Sequence, residues 1–518
     1  MNRLHPFAAV TSALNRGILG AMIPFFLGFV VGAATDVNPL WVFFLAPVGF
    51  LLGAAWGVAY YYRFEYGVTD NTFDINSGVF ARRSREIPYR RVQNVDIRQS
   101  VFFRILGLAV VSIETAGGGS SEGSLNFVSE DEARRLQREI RRQTARLNDD
   151  SRSDDTAEGD AEVDEEWDDR IDRPTKLFVL QDRELLLYSF TTIRSAAVAG
   201  VLFVVFFGFE FFIDALLAMA EPVGGPPGLG EGTEASYLVL SLVSLVNAVV
   251  ITYALSVAYS FATYYGFRLG QTGEDFVYER GLLQRYSGSI PAEKVQSVTV
   301  TDNPVQRAIQ YAGLWVETAG YGPDTGGGSQ SAVPLAKMPR VYSFTEELTG
   351  VERPSFSSPP PIARRRYLVR YSLIAAAFVG AVYGLSTVVD PLESWYVAAL
   401  VFLGVPPAAH LRYVNLGYFL GEDHLVIRRG FWRRRTTVIP YYRIQTVTTR
   451  RSIFQRRLGI ASLLVDTASS RTFSWGAPTV YDIYLEDARG AHEAAMDRLE
   501  ESLQKYHDDD VGLSVDFT

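Results

Sequence analysis

At 518 residues, with 48% hydrophobic and 13% aromatic side chains and a net charge of −9, the chain has room for several domains. It contains no cysteine, which excludes disulfides and thiolate metal sites. Lysine is confined to Lys176, Lys294, Lys337 and Lys505 while acids outnumber bases, a balance expected equally of a halophilic source and of a GC-rich genome that favours arginine.

Residues 1–63 hold an N-terminal segment and two apolar runs, Ile18–Ala34 and Leu40–Tyr60, expected to form a first transmembrane hairpin. The second run follows the first directly and no small-residue cleavage site separates them, so neither reads as a secretory signal. Residues 64–147 read as a small β-rich repeat. Its Ser129-Glu130-Asp131-Glu132 has capping-box form and opens a helix to about Leu147. Residues 148–175 are an acidic stretch with almost nothing to bury, expected to be a disordered linker.

A second hairpin over 176–265 is drawn from Ala196–Ala218 and Tyr237–Phe261. Glu210 and Asp214 share a helix face at i, i+4, and Asn247 falls at a similar depth on the other span. They form a candidate intramembrane polar set, unless the third span ends near Phe209 and Glu210 opens an interfacial helix. A second repeat covers 266–350 and ends in a short helix, Phe344–Leu348; a Pro/Ser linker covers 351–366. The third hairpin, 367–414, is drawn from Tyr371–Val389 and Trp395–Leu411, the latter interrupted by Pro406-Pro407. The third repeat, 415–507, closes with a helix over Asp487–Tyr506, and 508–518 is a tail.

The breaks within the hairpins, Thr35–Pro39, Glu221–Ser236 and Asp390–Ser394, lack Lys and Arg, whereas the opposite ends carry Arg16, Arg63, Arg194, Arg268, Arg370 and Arg412. The positive-inside rule then places both termini and all three repeats in the cytoplasm of a multi-pass protein of the cell membrane.

The repeats align on Pro88, Pro291 and Pro440. Each proline is preceded at fixed offsets by a glycine (Gly78, Gly281, Gly430) and an isoleucine (Ile87, Ile290, Ile439). It is followed by a glutamine (Gln93, Gln296, Gln445), a valine (Val95, Val298, Val447), an arginine (Arg104, Arg307, Arg456) and a Thr-Ala pair. Long, unequal spacings make the period a domain. Strand alternation puts the glutamine on the face of the core valine, where a buried amide must be hydrogen-bonded and so structural. The recurring arginines are expected to pair with Glu114, Glu317 and Asp466 on a later strand.

The pattern Ile-Pro-x-x-(Arg/Lys)-(Val/Ile)-Gln-x-Val, then Arg, then (Glu/Asp)-Thr-Ala, resembles the bacterial pleckstrin-homology-like (PH-like) domain of the YdbS/YdbT type of membrane protein. The resemblance covers nearly the whole chain. It implies three α-helical transmembrane hairpins, each followed by a small α+β domain: a bent, partly open β-barrel with a C-terminal helix. It brings no established catalytic activity and no cofactor.

Between two strands of each repeat, the glycine, two apolar residues and an arginine form a hairpin tip. The tip residues are Val79, Phe80 and Arg82; Leu282, Leu283 and Arg285; and Phe431, Trp432 and Arg434. Such tips either dip into the headgroup layer or pack on their own barrel or the next copy. The third repeat is the basic one, and Arg428, Arg429, Arg433 and Arg435 are candidate anionic-lipid contacts. No recognition helix or base-stacking module points to nucleic acid, and the five histidines show no metal-ligand spacing. The leading expectation is a non-enzymatic scaffold whose PH-like modules bind membrane lipids, further copies in a homo-oligomer, or another PH-like membrane protein. The rival is a transporter-like or envelope-stress component built on Glu210, Asp214 and Asn247.

Overall fold

In a computed structural model, residues 2–34, 42–115, 123–153, 175–272, 275–290, 292–318, 329–351, 354–387, 395–468 and 477–510 are described. The hairpin breaks Thr35–Pro39 and Asp390–Ser394, Trp41, Pro291, the Gly326–Gly328 run and most of the acidic linker lie outside them. So do the side chains of Gln93, Glu114 and Glu210.

Apolar runs with no water to satisfy their backbone must close their hydrogen bonds internally. The first pair forms α1 (Phe7–Ala34) and α2 (Val42–Tyr62), packed through glycines spaced four apart on α2, Gly49, Gly53 and Gly57. A Cβ at Gly53 would lie 2.1 Å from the Arg16 carbonyl oxygen, and one at Gly49 would lie 2.3 Å from that of Gly20. Small residues therefore let the two backbones touch.

Five described stretches are long and apolar enough to cross a membrane: Phe7–Gly28, Phe44–Tyr62, Glu234–Tyr264, Pro361–Ser386 and Trp395–Val414. The expected span Ala196–Ala218 is not a single helix. After α3 (Val101–Ile105), α4 (Glu130–Ser153) and α5 (Asp182–Thr191) come α6 (Ser195–Phe207) and α7 (Phe209–Ala220), broken at Gly208. At 13 and 12 residues, neither piece reaches the ~20 needed for a crossing. Then follow α8 (Glu234–Tyr264), α9 (Pro304–Ala308), α10 (Met338–Thr349) and α11 (Pro361–Ser386). The last span is a 3-10 stretch, Trp395–Gly404, running into α12 (Val405–Val414), with Pro406 and Pro407 in the first turn of that helix. The chain ends with α13 (Ile453–Arg457) and α14 (Leu485–Asp510).

The first repeat consists of two three-stranded antiparallel halves: β1 (Glu65–Val68), β2 (Thr72–Ser77) and β3 (Arg83–Pro88), then β4 (Val92–Ser100), β5 (Leu108–Thr115) and β6 (Gly123–Ser129). Phe73, Ile87 and Tyr89 from the first half share one buried core with Val95, Val111, Ile113 and Leu125 from the second. Leu136 and Ile140 of α4 close it. Half of the expected capping box forms, with Ser129 Oγ accepting from the Glu132 N–H at 3.3 Å, while the Glu132 carboxylate accepts from Arg135 at 2.8 and 2.7 Å.

After β7 (Thr175–Val179), the second repeat supplies β8 (Arg268–Thr272), β9 (Asp275–Arg280) and β10 (Gln284–Ile290), then β11 (Val295–Asp302), β12 (Tyr311–Thr318) and β13 (Ser329–Lys337). The third has β14 (Gly417–Leu420), β15 (His424–Gly430) and β16 (Arg434–Pro440), then β17 (Ile444–Arg450), β18 (Ile460–Thr467) and β19 (Thr479–Tyr484). Leu425, Ile439, Val447, Leu463 and Ala495 share the third repeat's core. The helix closing the second repeat is α10, three turns long rather than the short Phe344–Leu348, with Val341 fully buried.

Contacts divide the chain into two compact units. One holds residues 1–177, 268–294 and 320–326; the other holds 178–267, 295–319 and 327–518. Within the first, β10 pairs antiparallel with β4 and joins two repeats into one sheet; within the second, β16 does the same with β11. Arg285 stands opposite Gln99 and Arg434 opposite Asp302. Both arginines lie six residues before their repeat proline, and Gln99 and Asp302 lie eleven after theirs, so the two joints use one register.

The ladders also correct the reading of the glutamine. Each copy carries a register shift at that residue: between Val92 and Asn94, Val295 and Ser297, and Ile444 and Thr446. The glutamine is a β-bulge, so strand alternation does not carry across it. Gln296 is buried, but Gln445 is exposed.

Before each hairpin, the chain is tied to the backbone that follows it. Asn2 and Tyr66 exchange N–H···O bonds at 2.6 and 2.9 Å, Ser357 and Tyr418 do so at 2.9 and 3.2 Å, and the Leu180 N–H reaches the Phe267 carbonyl at 3.1 Å.

Gln310 occupies a left-handed position, φ 59°, where the other copies have Gly107 and Gly459 at 65° and 66°. An L-residue pays roughly 1–2 kcal/mol there, partly offset by the entropy a glycine would lose. Gln310→Gly is therefore expected to stabilise the chain by up to about 1 kcal/mol. The check is a raised thermal midpoint in detergent; a lowered one would contradict it.

Candidate functional site

The three tips are built alike. Gly78, Gly281 and Gly430 have φ of 105°, 110° and 145°. A Cβ at any of them would come within about 2 Å of the carbonyl oxygen three residues on. Only glycine turns the chain so tightly, which explains its recurrence.

What the tips touch differs. In the first repeat, the Phe80 ring lies 4.8 Å from that of Trp56 in α2 yet is 85% exposed, while Val79 is half-buried. In the third, Phe431 meets Tyr371 of α11 at 6.1 Å, and Trp432 stays exposed. Two tips thus lie against apolar helices rather than on their own cores. In the second repeat, Leu282 and Leu283 are exposed, and Arg285 makes a 3.5 Å ion pair with Glu279.

At the foot of α2, the first tip borders a cavity of about 540 Å³ walled by Arg3, Tyr62, Arg63, Glu65, Arg82 and Arg83. One carboxylate stands among four guanidiniums, and it is already paired with Arg3 at 3.3 Å. Such a hollow suits a phosphate.

Arg307 does not take the partner expected for it, and the side chain of Glu114, expected for Arg104, lies outside the described residues. Arg104 Nη1 donates to the Leu282 carbonyl, in the tip of the next repeat, at 3.3 Å. Arg307 Nη1 donates to Asn415 Oδ1 at 2.9 Å, and Asn415 Nδ2 in turn donates to the Phe431 carbonyl at 2.8 Å. Glu317 instead accepts from Ser297 Oγ at 2.9 Å. These arginines therefore latch one repeat to the tip of its successor. Arg456 is exposed and has no side-chain partner among the described residues.

The second joint is closed by Arg434, whose Nη2 lies 2.6 Å from Asp302 Oδ2, with Arg307 3.5 Å from the other carboxylate oxygen. Burial pushes the Asp302 carboxyl up from its ordinary value against the pull of Arg434. The tip arginine of the third repeat is thus engaged in the joint.

The remaining basic set is only partly displayed. Arg428 stacks over the Phe356 ring at 4.2 Å, and Arg429 Nη1 donates to the Ala477 carbonyl at 2.7 Å. Arg433 and Arg435 are half-buried. Burial, with Arg429 and Arg433 nearby, brings the Arg435 guanidinium down to about 10.

Behind this face, Asp482, fully buried on β19, ties the third repeat to α11. It accepts from Arg366 Nη1 at 2.6 and 2.5 Å, from the Tyr367 hydroxyl and from Gln455 Nε2 at 2.7 Å. Nothing in strand periodicity announces this cluster.

Of the remaining expected residues, Pro88 and Pro440 are half-buried where strand passes into a 3-10 turn. Asp214 is exposed on α7. Asn247 donates to the Val243 carbonyl of its own helix at 2.9 Å. Glu210 opens α7 just past the break at Gly208, and its side chain lies outside the described residues. Among the described residues, no cluster of His, Asp or Glu suits a metal.

A family of bacterial PH domains matches residues 19–144, 216–350 and 373–505, and the chain belongs to that family. It is 24% identical over 504 residues to the "UPF0699 transmembrane protein YdbT" of Bacillus subtilis (strain 168), covering 94% of this chain and 96% of that one. No solved structure matches it. With five apolar stretches long enough to cross a bilayer, this is a transmembrane protein bearing three bacterial PH domains.

Proposed function

We propose that the protein is a non-enzymatic membrane scaffold whose PH-like barrels stand on helical hairpins at the cytoplasmic surface, where the tips hold anionic lipid phosphates. Orientation rests on the arginines flanking the spans and on their absence from the breaks. The observation that carries the binding role is the Arg-walled cavity at the foot of α2, with Phe80 laid on Trp56 at its rim. An aromatic side chain at headgroup depth beside a cluster of guanidiniums is the arrangement that phosphate and acyl chain together require.

The test uses the full chain in nanodiscs of mixed phosphatidylglycerol and phosphatidylcholine, with retained lipid counted by native mass spectrometry. Each arginine near an anionic surface contributes roughly 1 kcal/mol, so Arg63→Ala with Arg82→Ala is expected to cut phosphatidylglycerol retention about tenfold or more. Equal retention of the two lipids by the unaltered protein would overturn the reading.

A further inference from the structure

Two strand edges in this chain are of the kind that forms the internal joints, yet neither is paired among the described residues. β17 stands at the edge of β17-β18-β19, and β3 at the edge of β1-β2-β3. Thr446, Thr448 and Arg450 on β17 are exposed, whereas Ser297 and Thr299, at the first two of these positions on β11, are buried, and Thr299 Oγ1 lies 3.0 Å from Thr437 Oγ1 of the paired β16. Beside β17, α13 displays Ile453 and Phe454 at 61% and 68% exposure, and Arg456 meets no tip among the described residues. The third repeat thus presents a joint surface on which no described residue is docked.

Charge decides what fits. In the joint register, Arg82 of another copy would face Arg451, and Arg83 would face Arg450. The internal joints place Arg434 on Asp302 and Arg285 on Gln99 at the first of these pairs. At the second, Arg98 lies over the Tyr286 ring at 5.4 Å. Like charges directly opposite oppose strand pairing. Unlike the inner joints, the outer edges of two copies repel.

We propose that the β17 edge is a docking strand for the PH-like sheet of a different membrane protein, one bearing carboxylates where this chain has Arg82 and Arg83. Its β3-like strand extends β17, its tip seats on Arg456, and the acidic pair meets Arg450 and Arg451. The paired arginines keep copies of this chain from adding to one another without end, as a head-to-tail interface otherwise allows.

The absence of cysteine makes the test direct. Full-length chains carrying Thr449→Cys are co-reconstituted with full-length chains carrying Ser84→Cys, residues that the joint register sets opposite each other, and disulfide dimers are quantified after mild oxidation. Four combinations are compared: each chain either unaltered in charge or acidic, by Arg450→Glu with Arg451→Glu on the first and Arg82→Glu with Arg83→Glu on the second. The two mixed-charge combinations are expected to crosslink about tenfold more than basic with basic or acidic with acidic. Each acidic variant serves in one productive combination, so misfolding cannot imitate this pattern. Equal crosslinking in all four, or none in any, overturns the proposal. So does a result in which Arg450→Glu with Arg451→Glu only lowers phosphatidylglycerol retention, which would assign the edge to lipid.

Discussion

Asp482→Ala is expected to destabilise the third repeat by about 3–5 kcal/mol, the cost of stranding the partners of a buried ion pair. The carboxylate is fully buried and takes bonds from Arg366, Tyr367 and Gln455, so its loss leaves a guanidinium and a phenol without an acceptor and the Gln455 amide with Ser462 Oγ alone. Asp482 also holds φ 57°, a left-handed value that aspartate and asparagine tolerate better than alanine. Asp482→Asn should therefore cost clearly less, since it keeps the backbone and an amide oxygen for Tyr367. Hydrogen exchange over β18 and β19 of the full chain in detergent provides the check. Faster exchange is expected in the alanine variant, and equal losses in the two variants would refute the role of the charge.

Gly53→Leu is expected to pry hairpin 1 apart, at the upper end of the ~1–3 kcal/mol typical of overpacking. The added side chain would start 2.1 Å from the Arg16 carbonyl oxygen, and no rotamer moves a backbone carbonyl aside. Gly384→Leu is the matched control, because a Cβ there meets nothing within 4 Å. The thermal midpoint should fall for the first and hold for the second. The Arg-walled cavity stands at the foot of the same helix, so the first variant should also lose retained phosphatidylglycerol. Equal midpoints would show that the helices do not depend on close backbone contact.

Sequence periodicity made the repeats, their proline, their tip glycine and most spans legible, because each answers to a local rule of spacing or backbone freedom. It misread Gln445, which lies exposed at a bulge, since a bulge resets alternation and leaves no compositional trace; Gln296 is buried as expected, and the Gln93 side chain lies outside the described residues. Hydropathy alone averages across the break at Gly208 and draws one span over Ala196–Ala218; the alternative that ends the span near Phe209, prompted by the carboxylates of Glu210 and Asp214, falls beside the break. The latch by Arg104 and Arg307 stayed hidden for another reason: their acceptors lie in the next repeat, and an offset within one repeat cannot point there. Gly49, Gly53 and Gly57 were visible as a small-residue ladder, a signal whose meaning appears only once α1 supplies the opposing backbone.

The backbone bonds from Asn2 to Tyr66 and from Ser357 to Tyr418 fasten the start of a hairpin to its finish. A cord knotted at both ends on one side of a sheet can pierce it only an even number of times. In the topology proposed above, neither loop of the cord can gain or drop a single passage without untying its knot.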